Sequence, residues 1–294
     1  MKVTAFSDLE PRERTVAIGT FDGVHLGHRE VIAGADTVLT FDPHPMSVTA
    51  PERAPELLTS PSRKAELVES LGVEEMVVIR FDDQFAQHTA EQFIDEIVIA
   101  GLGATRVQVG DNFGFGKKAQ GRAELLQADD RFETRVMPLF ELDGAPVSSS
   151  RIRSLLRDGD VAEANRLLGT PYIFSAEVAR GDQRGRELGY PTANLVPTVG
   201  YCIPGHGVYA GRAEIAGGES KLAAINVGLR PMFETALGEL VEAYLLDFDG
   251  DLYGQQLRVE FLQRLRGEAT FESVDGLKLQ MAADVEATRE LAGG

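Results

Sequence analysis

The stretch from residue 15 to residue 33 constrains the fold more than any other. Thr15-Val16-Ala17-Ile18 is a short apolar run that reads as a buried strand. Gly19, Phe21, Gly23, His25, Gly27 and His28 follow, and Arg29-Glu30-Val31-Ile32-Ala33 continues as a helix. A strand feeding a tight turn feeding a helix is the unit of parallel α/β sheets, and nucleotides bind such sheets at these turns. His25 and His28, three apart, can face one point. Imidazoles there hydrogen-bond phosphate oxygens and offset the charge that builds up as a phosphoryl bond breaks. Gly27 lets backbone approach a phosphate where a side chain would block it. The competing reading is a histidine pair that caps a structural helix and does nothing else.

The first half continues the alternation. Residues 37–41 read as a second strand, closed by Asp42-Pro43-His44-Pro45. Ser60 and Pro61 open a helix over residues 64–71, and Gly72 stops it. A third strand follows at 76–81. Thr89 and Gln92 form a capping box for a helix through Ile99. Strands at 106–109 and 135–137 complete a mostly parallel, doubly wound sheet, whose ligands gather beyond the strands' C-terminal ends. Two such ends carry polar groups. Gly110-Asp111-Asn112-Phe113-Gly114-Phe115-Gly116-Lys117 offers Asn112 and Lys117 as handles. Ser148-Ser149-Ser150-Arg151-Ile152-Arg153 puts hydroxyls at a helix start and arginines one turn in, which suits a triphosphate. Alone, that second segment is a common N-cap.

A short helix from Asp160 to the region of Gly169 ends this pattern. Short strands at 172–179, 207–215, 222–227, 241–248 and 256–261 then follow without intervening helices, which implies an antiparallel barrel. Ser273 caps a closing helix over 274–291. The expected domains are therefore 1–169 and 170–294.

Composition limits the partners. A net charge of −17 argues against broad nucleic-acid or membrane-surface binding. Phosphorylated small molecules need only a few local cations, which Lys117-Lys118, Arg151 with Arg153, and Arg184 with Arg186 supply. No apolar run approaches the roughly 18 residues of a membrane span. Residues 1–5 lack the apolar core of a signal peptide. Cys202 is the single cysteine, so there is neither an intrachain disulfide nor a cysteine metal cluster. The expected location is the cytoplasm.

Taken together, these motifs resemble those of the bifunctional bacterial riboflavin kinase/FAD synthetases over nearly the whole chain. The first half carries F-D-G-V-H-L-G-H at 21–28, T-F-D-P-H-P at 40–45, G-D-N-F-G-F-G at 110–116 and S-S-S-R-I-R at 148–153. The second carries G-R-E-L-G-Y-P-T-A-N-L at 185–195, N-V-G-L-R-P-M-F at 226–233 and L-L-D-F-D-G-D-L-Y-G at 245–254.

The resemblance implies a Rossmann-like adenylyltransferase domain of the nucleotidyltransferase type, followed by a riboflavin kinase barrel with a terminal helix. It implies that Gly19, Phe21, His25, Gly27, His28, Asn112, Ser149, Ser150 and Arg153 bind ATP in the first domain, with His28 and Arg153 assisting transfer of AMP to FMN. It implies Thr192 and Asn194 as the Mg²⁺ and ATP site of the kinase, with Gly185 and Arg186 in a segment that closes over phosphates, and Glu242 as catalytic base. Hydroxyl and amide oxygens are hard ligands suited to Mg²⁺, and phosphorylating an alcohol needs a carboxylate to accept or orient its proton.

The sequence departs from the family pattern in two places. Only residues 29–36 lie between H-x-G-H and the next strand, which can leave part of the FMN-side wall open. Gly114 stands where members commonly carry a bulkier residue, often Arg. Two rival readings stay open: a kinase whose first domain is degenerate, and a flavin-binding or regulatory protein without turnover.

Overall fold

In the computed structural model, which describes residues 1–180, 189–196, 200–215, 218–229 and 238–292, the chain packs as two units, Met1–Ser149 and Ser150–Gly294. The first is built on β1 (Lys2–Ala5), β2 (Arg14–Ile18), β3 (Thr37–Asp42), β4 (Glu75–Arg80) and β5 (Ala104–Gly110). After β5 come a two-stranded ribbon of β6 (Gly114–Phe115) and β7 (Gly121–Arg122), then β8 (Glu133–Met137), then a hairpin of β9 (Glu141–Leu142) and β10 (Ala145–Pro146). Six strands form one parallel sheet in the order β1-β4-β3-β2-β5-β8. From the edge strand β1 the chain passes to β2 in the middle of the sheet, builds outward through β3 and β4, and crosses back to β5. The loops leaving β2 and β5 therefore diverge at a topological switch point, where open α/β sheets bind their ligands.

Helices cover both faces of this sheet. On one side α1 (Leu26–Ile32) and α3 (Pro61–Glu69) bury Val31, Ile32, Leu67 and Val68 against Val38 and Met76. A small helix, α2 (Pro45–Thr49), precedes α3. On the other side α4 (Ala90–Gln92) opens with the expected capping box of Thr89 and Gln92. It continues, however, as a π-helix over Phe93–Gly101. The wider turn aligns residues spaced four and five apart, and Phe93, Ile97, Val98 and Leu102, so spaced, are all buried. A short α5 (Ala123–Gln127) precedes β8. Seven-residue α1 suffices for the crossover, since β2 and β3 pair in parallel through Val16↔Thr37, Ala17↔Val38 and Ile18↔Leu39.

The second unit is a closed barrel of β11 (Tyr172–Ala179), β12 (Ala193–Leu195), β13 (Gly207–Glu214), β14 (Ser220–Leu229), β15 (Glu239–Leu245) and β16 (Gln256–Arg266), ordered β11-β12-β15-β14-β13-β16. Ile225, Val227, Val241, Ala243, Val259 and Phe261 are fully buried and fill its interior. Helices α6 (Ser149–Asp158) and α7 (Val161–Leu168) lead into it and α8 (Val274–Ala292) follows it. Asn165 of α7 donates to the Phe261 carbonyl at 2.7 Å and accepts from the Tyr172 amide at 2.7 Å. The Gly205 amide donates to the carbonyl of Leu156 in α6. The packing division thus falls ahead of the 169/170 boundary expected from sequence, because both helices serve the barrel. No helix among the described residues is long and apolar enough to cross a membrane.

The edge strand β1 is secured by a buried ion pair. Arg14, 1% exposed, donates to Glu75 at 3.1 and 3.2 Å, and the Thr4 hydroxyl donates to the same carboxylate at 2.8 Å. Burial pushes the Glu75 carboxyl up, but the hydrogen bonds from Thr4 and Arg14 and the Arg14 charge outweigh it and hold the group below its ordinary value. Glu75→Gln leaves the Arg14 charge buried without its counter-ion, a loss of about 3–5 kcal/mol at neutral pH. A carboxyl held low stabilises the fold above its unfolded value of about 4.3 and loses that contribution as pH falls through its lower folded value. Denaturant unfolding at a pH series is therefore expected to show the gap between wild type and Glu75→Gln constant near neutrality and closing in acid.

Candidate functional site

Each unit contains a candidate site. In the first, the turn after β2 is held in an unusual backbone: Phe21, Gly23 and Val24 all have positive φ, at 48°, 90° and 43°. Asp22, buried within this turn, explains how it persists. Its carboxylate accepts from the amides of Leu58 and Thr59 and from the Thr59 hydroxyl, at 2.9–3.3 Å. The Gly23 amide donates to the same hydroxyl at 3.2 Å. Lys64 reaches under the turn and donates to the Thr20 carbonyl at 2.7 Å. Burial pushes the Lys64 ammonium below its ordinary value, while the charges of Asp22 and Asp42 oppose that shift.

This clamp presents the two histidines. His25 is the N-cap of α1, its Nδ1 accepting from the His28 amide at 3.2 Å. The rings of His25 and His28 stack with centroids 3.6 Å apart and planes 16° from parallel. A backbone amide can only donate, so a neutral His25 carries its proton on Nε2. The helix-capping reading and the phosphate reading are therefore compatible: the cap occupies one nitrogen and leaves the other as a donor. Gly27 makes room within the protein as well, since a Cβ there would stand 3.3 Å from the His25 ring. Phe21 is 2% exposed and sets its ring edge-on to His28, 5.4 Å between centroids. A Cβ on Gly19 would touch that ring at 3.0 Å.

The remaining predicted residues of this site sit on neighbouring elements. Asn112 is exposed in the loop leaving β5, the strand beside β2. Ser149 donates its hydroxyl to the Asp22 carbonyl at 2.9 Å. Ser150 and Arg153 follow on α6, in the second unit by packing, and Arg153 is buried there. At Gly114 the space a side chain would take holds the guanidinium of Arg122, its Nη1 2.3 Å from the would-be Cβ. The two residues are register partners across the β6–β7 ribbon. Sequence reasoning gave no role of its own to Asp22, which stands inside the F-D-G-V-H-L-G-H motif, or to Lys64 and Arg122, which lie outside the quoted motifs. It also passed over an aromatic group at the ends of β3 and β4, where Phe41, Phe81 and Phe85 lie 5.4–6.1 Å apart by centroid and His88 packs against Phe85.

In the second unit a cavity of about 810 Å³ is lined by Thr192, Asn194, Asn226, Glu242, Tyr244 and Phe248, among others. Its polar wall is one cross-strand row. Glu242 of β15 is paired with Asn194 of β12 on one side and Asn226 of β14 on the other. Residues directly opposite share a face, and their neighbours Ala193, Leu195, Ile225, Val227, Val241 and Ala243 fill the interior. Tyr190 and Tyr244 meet edge to face at 5.2 Å. Across the cavity Arg266 holds Asp284 of α8 at 2.7 and 3.0 Å. The row thus brings together Asn194 and Glu242 as expected, with Thr192 in the same cavity. Gly185, Arg186 and the rest of the segment 181–186 lie outside the described residues.

Comparison with known proteins separates along the same lines. A family model described as FAD synthetase matches residues 7–151, and one described as riboflavin kinase matches residues 168–292. A bifunctional riboflavin kinase/FMN adenylyltransferase from Listeria monocytogenes is 37% identical, covering 94% of this chain and 91% of that one. The protein of the same description from Escherichia coli K12 is 36% identical over 96% and 94% of the two chains. A crystal structure from Streptococcus pneumoniae, described as a macrolide-efflux protein, superposes with a TM-score of 0.88 at 33% identity, covering 98% of this chain and 99% of that one.

The Asp22 clamp makes a prediction that needs no ligand. Asp22→Ala strands two buried amides, each worth about 1–3 kcal/mol, and is expected to lower the thermal midpoint clearly. Asp22→Asn keeps one acceptor oxygen and should fall between. Calorimetry of the three proteins checks the order.

Proposed function

The chain belongs to the family of bifunctional riboflavin kinase/FMN adenylyltransferases, and we propose on that footing how its own residues divide the work. It is a transferase that phosphorylates riboflavin to FMN with ATP and then joins AMP from a second ATP to FMN, giving FAD and pyrophosphate. The observation that carries this reading is that both family models match one chain, one on each packed unit, and that each unit holds a polar site of its own.

In the kinase step Glu242 accepts the proton of riboflavin's primary alcohol as the oxygen–phosphorus bond forms. The bond from the γ-phosphorus to ADP breaks, and ADP leaves with the electron pair. Thr192 and Asn194 supply a hydroxyl and an amide oxygen, which fit Mg²⁺. Both side chains are neutral, so the negative charge that balances the ion would come from the ATP phosphates. When bound, the ion neutralises phosphate charge.

In the adenylyl step the FMN phosphate is already a nucleophile, so the protein need only position and neutralise. His25 offers Nε2–H and His28 its ring to the ATP phosphates; Asn112 and Ser149 add polar groups in the same unit, with Arg122 adding a guanidinium beside Gly114, and the family pattern assigns Ser150 and Arg153 to ATP as well. The aromatic group of Phe41, Phe81 and Phe85 is the wall suited to the flavin ring system. The working location is the cytoplasm, in keeping with a lone, buried Cys202. The functional boundary stays near 169/170.

Incubating the protein with riboflavin, ATP and Mg²⁺ is expected to yield FMN and then FAD by chromatography; FMN alone would sink the second activity. Glu242→Gln is expected to lower FMN formation by about 10²–10⁴-fold while FAD formation from supplied FMN continues. His28→Ala is expected to do the reverse, with a loss of about 10²–10³-fold in FAD formation.

The kinase should also survive excision. A fragment of residues 150–294 is expected to fold and phosphorylate riboflavin. One beginning at 170 lacks α7, whose buried Val161, Ala164, Leu167 and Leu168 cover the barrel, and should be the less stable of the two in a thermal melt.

A further inference from the structure

One member of the cross-strand row has no part in the reading above. Asn226 stands opposite Glu242 in the β14–β15 ladder, and its Nδ2 donates to Glu242 Oε2 at 3.3 Å. Both residues are half-buried and line the same cavity. No donor among the described residues reaches the other oxygen, Oε1. Two residues along, on the same face of β14, Gly228 has no side chain, and Glu268 Oε1 stands 2.8 Å from where its Cβ would be. The glycine thus lets a second carboxylate into this part of the cavity.

We propose that Asn226 is a positioning residue for the kinase step: its amide holds Glu242 by Oε2 and turns Oε1 toward the alcohol whose proton it takes. The inference rests on Glu242 being the base. Three physical points carry it. A glutamate has three side-chain torsions, and one fixed oxygen removes most of that freedom before substrate arrives. An amide donor also holds a carboxylate without cancelling its charge, whereas a lysine or arginine at 226 would pair with it and depress its basicity. Finally, Asn226 and Glu242 belong to paired strands of a closed barrel, so the ladder itself fixes their separation.

The test is steady-state kinetics of FMN formation, kcat and KM read separately, using the whole protein, for wild type, Asn226→Ala, Asn226→Ser, Asn226→Asp and Glu242→Gln. Asn226→Ala removes a hydrogen bond to a charged group, which predicts a fall in kcat of about ten- to a hundredfold, with KM for riboflavin and ATP little changed. Asn226→Asp replaces the amide donor with a carboxylate that cannot donate and should lower kcat at least as far. Asn226→Ser keeps a hydroxyl donor and should recover part of the rate. The other titratable groups of this cavity include Tyr244 on the same strand, Asp249 and Asp251 in the turn after β15, Arg266 and Glu268 on and beyond β16, and Asp284 on α8. None of them is altered in the series.

Circular dichroism and a thermal melt of each variant report whether the barrel that carries Asn226 and Glu242 is folded. If Glu242→Gln is inactive while Asn226→Ala keeps wild-type kcat, the positioning role is overturned and the base stands. If kcat falls in Asn226→Ala but KM rises with it, or Asn226→Ser recovers none of the rate, Asn226 acts on packing alone and the proposal is again overturned. If Glu242→Gln turns over normally, the base assignment fails and takes the proposal with it.

Discussion

The alternation of side chains along a strand is the constraint on which both units depend. In the barrel, residues pointing inward must be apolar, because the interior is closed and Val241, Ala243, Ile225 and Val227 already fill it. Every residue between them is forced outward. Glu242, Asn194 and Asn226 therefore share the outer face with no special arrangement; any polar chemistry on β12, β14 and β15 had nowhere else to be. The parallel sheet obeys the same rule more strictly. Helices cover both faces of its central strands, and the chemistry is displaced to the loops beyond the strands' C-terminal ends.

That displacement has a cost, because loops lack the ladder that holds strand residues in place. The first unit meets it with buried polar contacts. Asp22 ties the turn after β2 to residues 58 and 59, Lys64 ties Thr20 from beneath, and Ser149 ties the carbonyl of Asp22 itself. These bonds stabilise a turn in which two non-glycine residues take positive φ. The barrel site needs fewer such contacts, since its row of side chains is registered by backbone hydrogen bonds.

Much of this was legible in the sequence, for identifiable reasons. The parallel strands announced themselves as apolar runs, and Ser60, Thr89 and Gln92 marked helix starts that the structure contains. What stayed hidden was short or depended on distant partners. Lys2–Ala5 is an edge strand of four residues whose place is set by pairing with Glu75–Arg80. Ala193–Leu195 is three residues long and closes the barrel only because β11 and β15 lie on either side. The P-T-A-N segment read as a ligand site from sequence, and it is also this closing strand. The helix through Ile99 was visible, but its π geometry was not, since that follows from how Phe93, Ile97 and Leu102 meet the sheet. Likewise Gly114 looked like a missing side chain until Arg122, eight residues on, was seen across the ribbon.

The stacked, capping His25 has a consequence for which residues could ever replace it. One ring nitrogen must accept from a backbone amide while the other keeps its proton and can donate, and the ring must lie flat against His28. Lysine and arginine donate but cannot accept; aspartate and glutamate accept but cannot donate; serine and threonine can do both only from a single atom, too close to the backbone to serve two partners on opposite sides. Asparagine and glutamine have both functions on separate atoms but lack the aromatic face. Position 25 is thus a site where the genetic code offers one residue that meets every demand. Drift there is closed off by helix geometry as much as by the reaction.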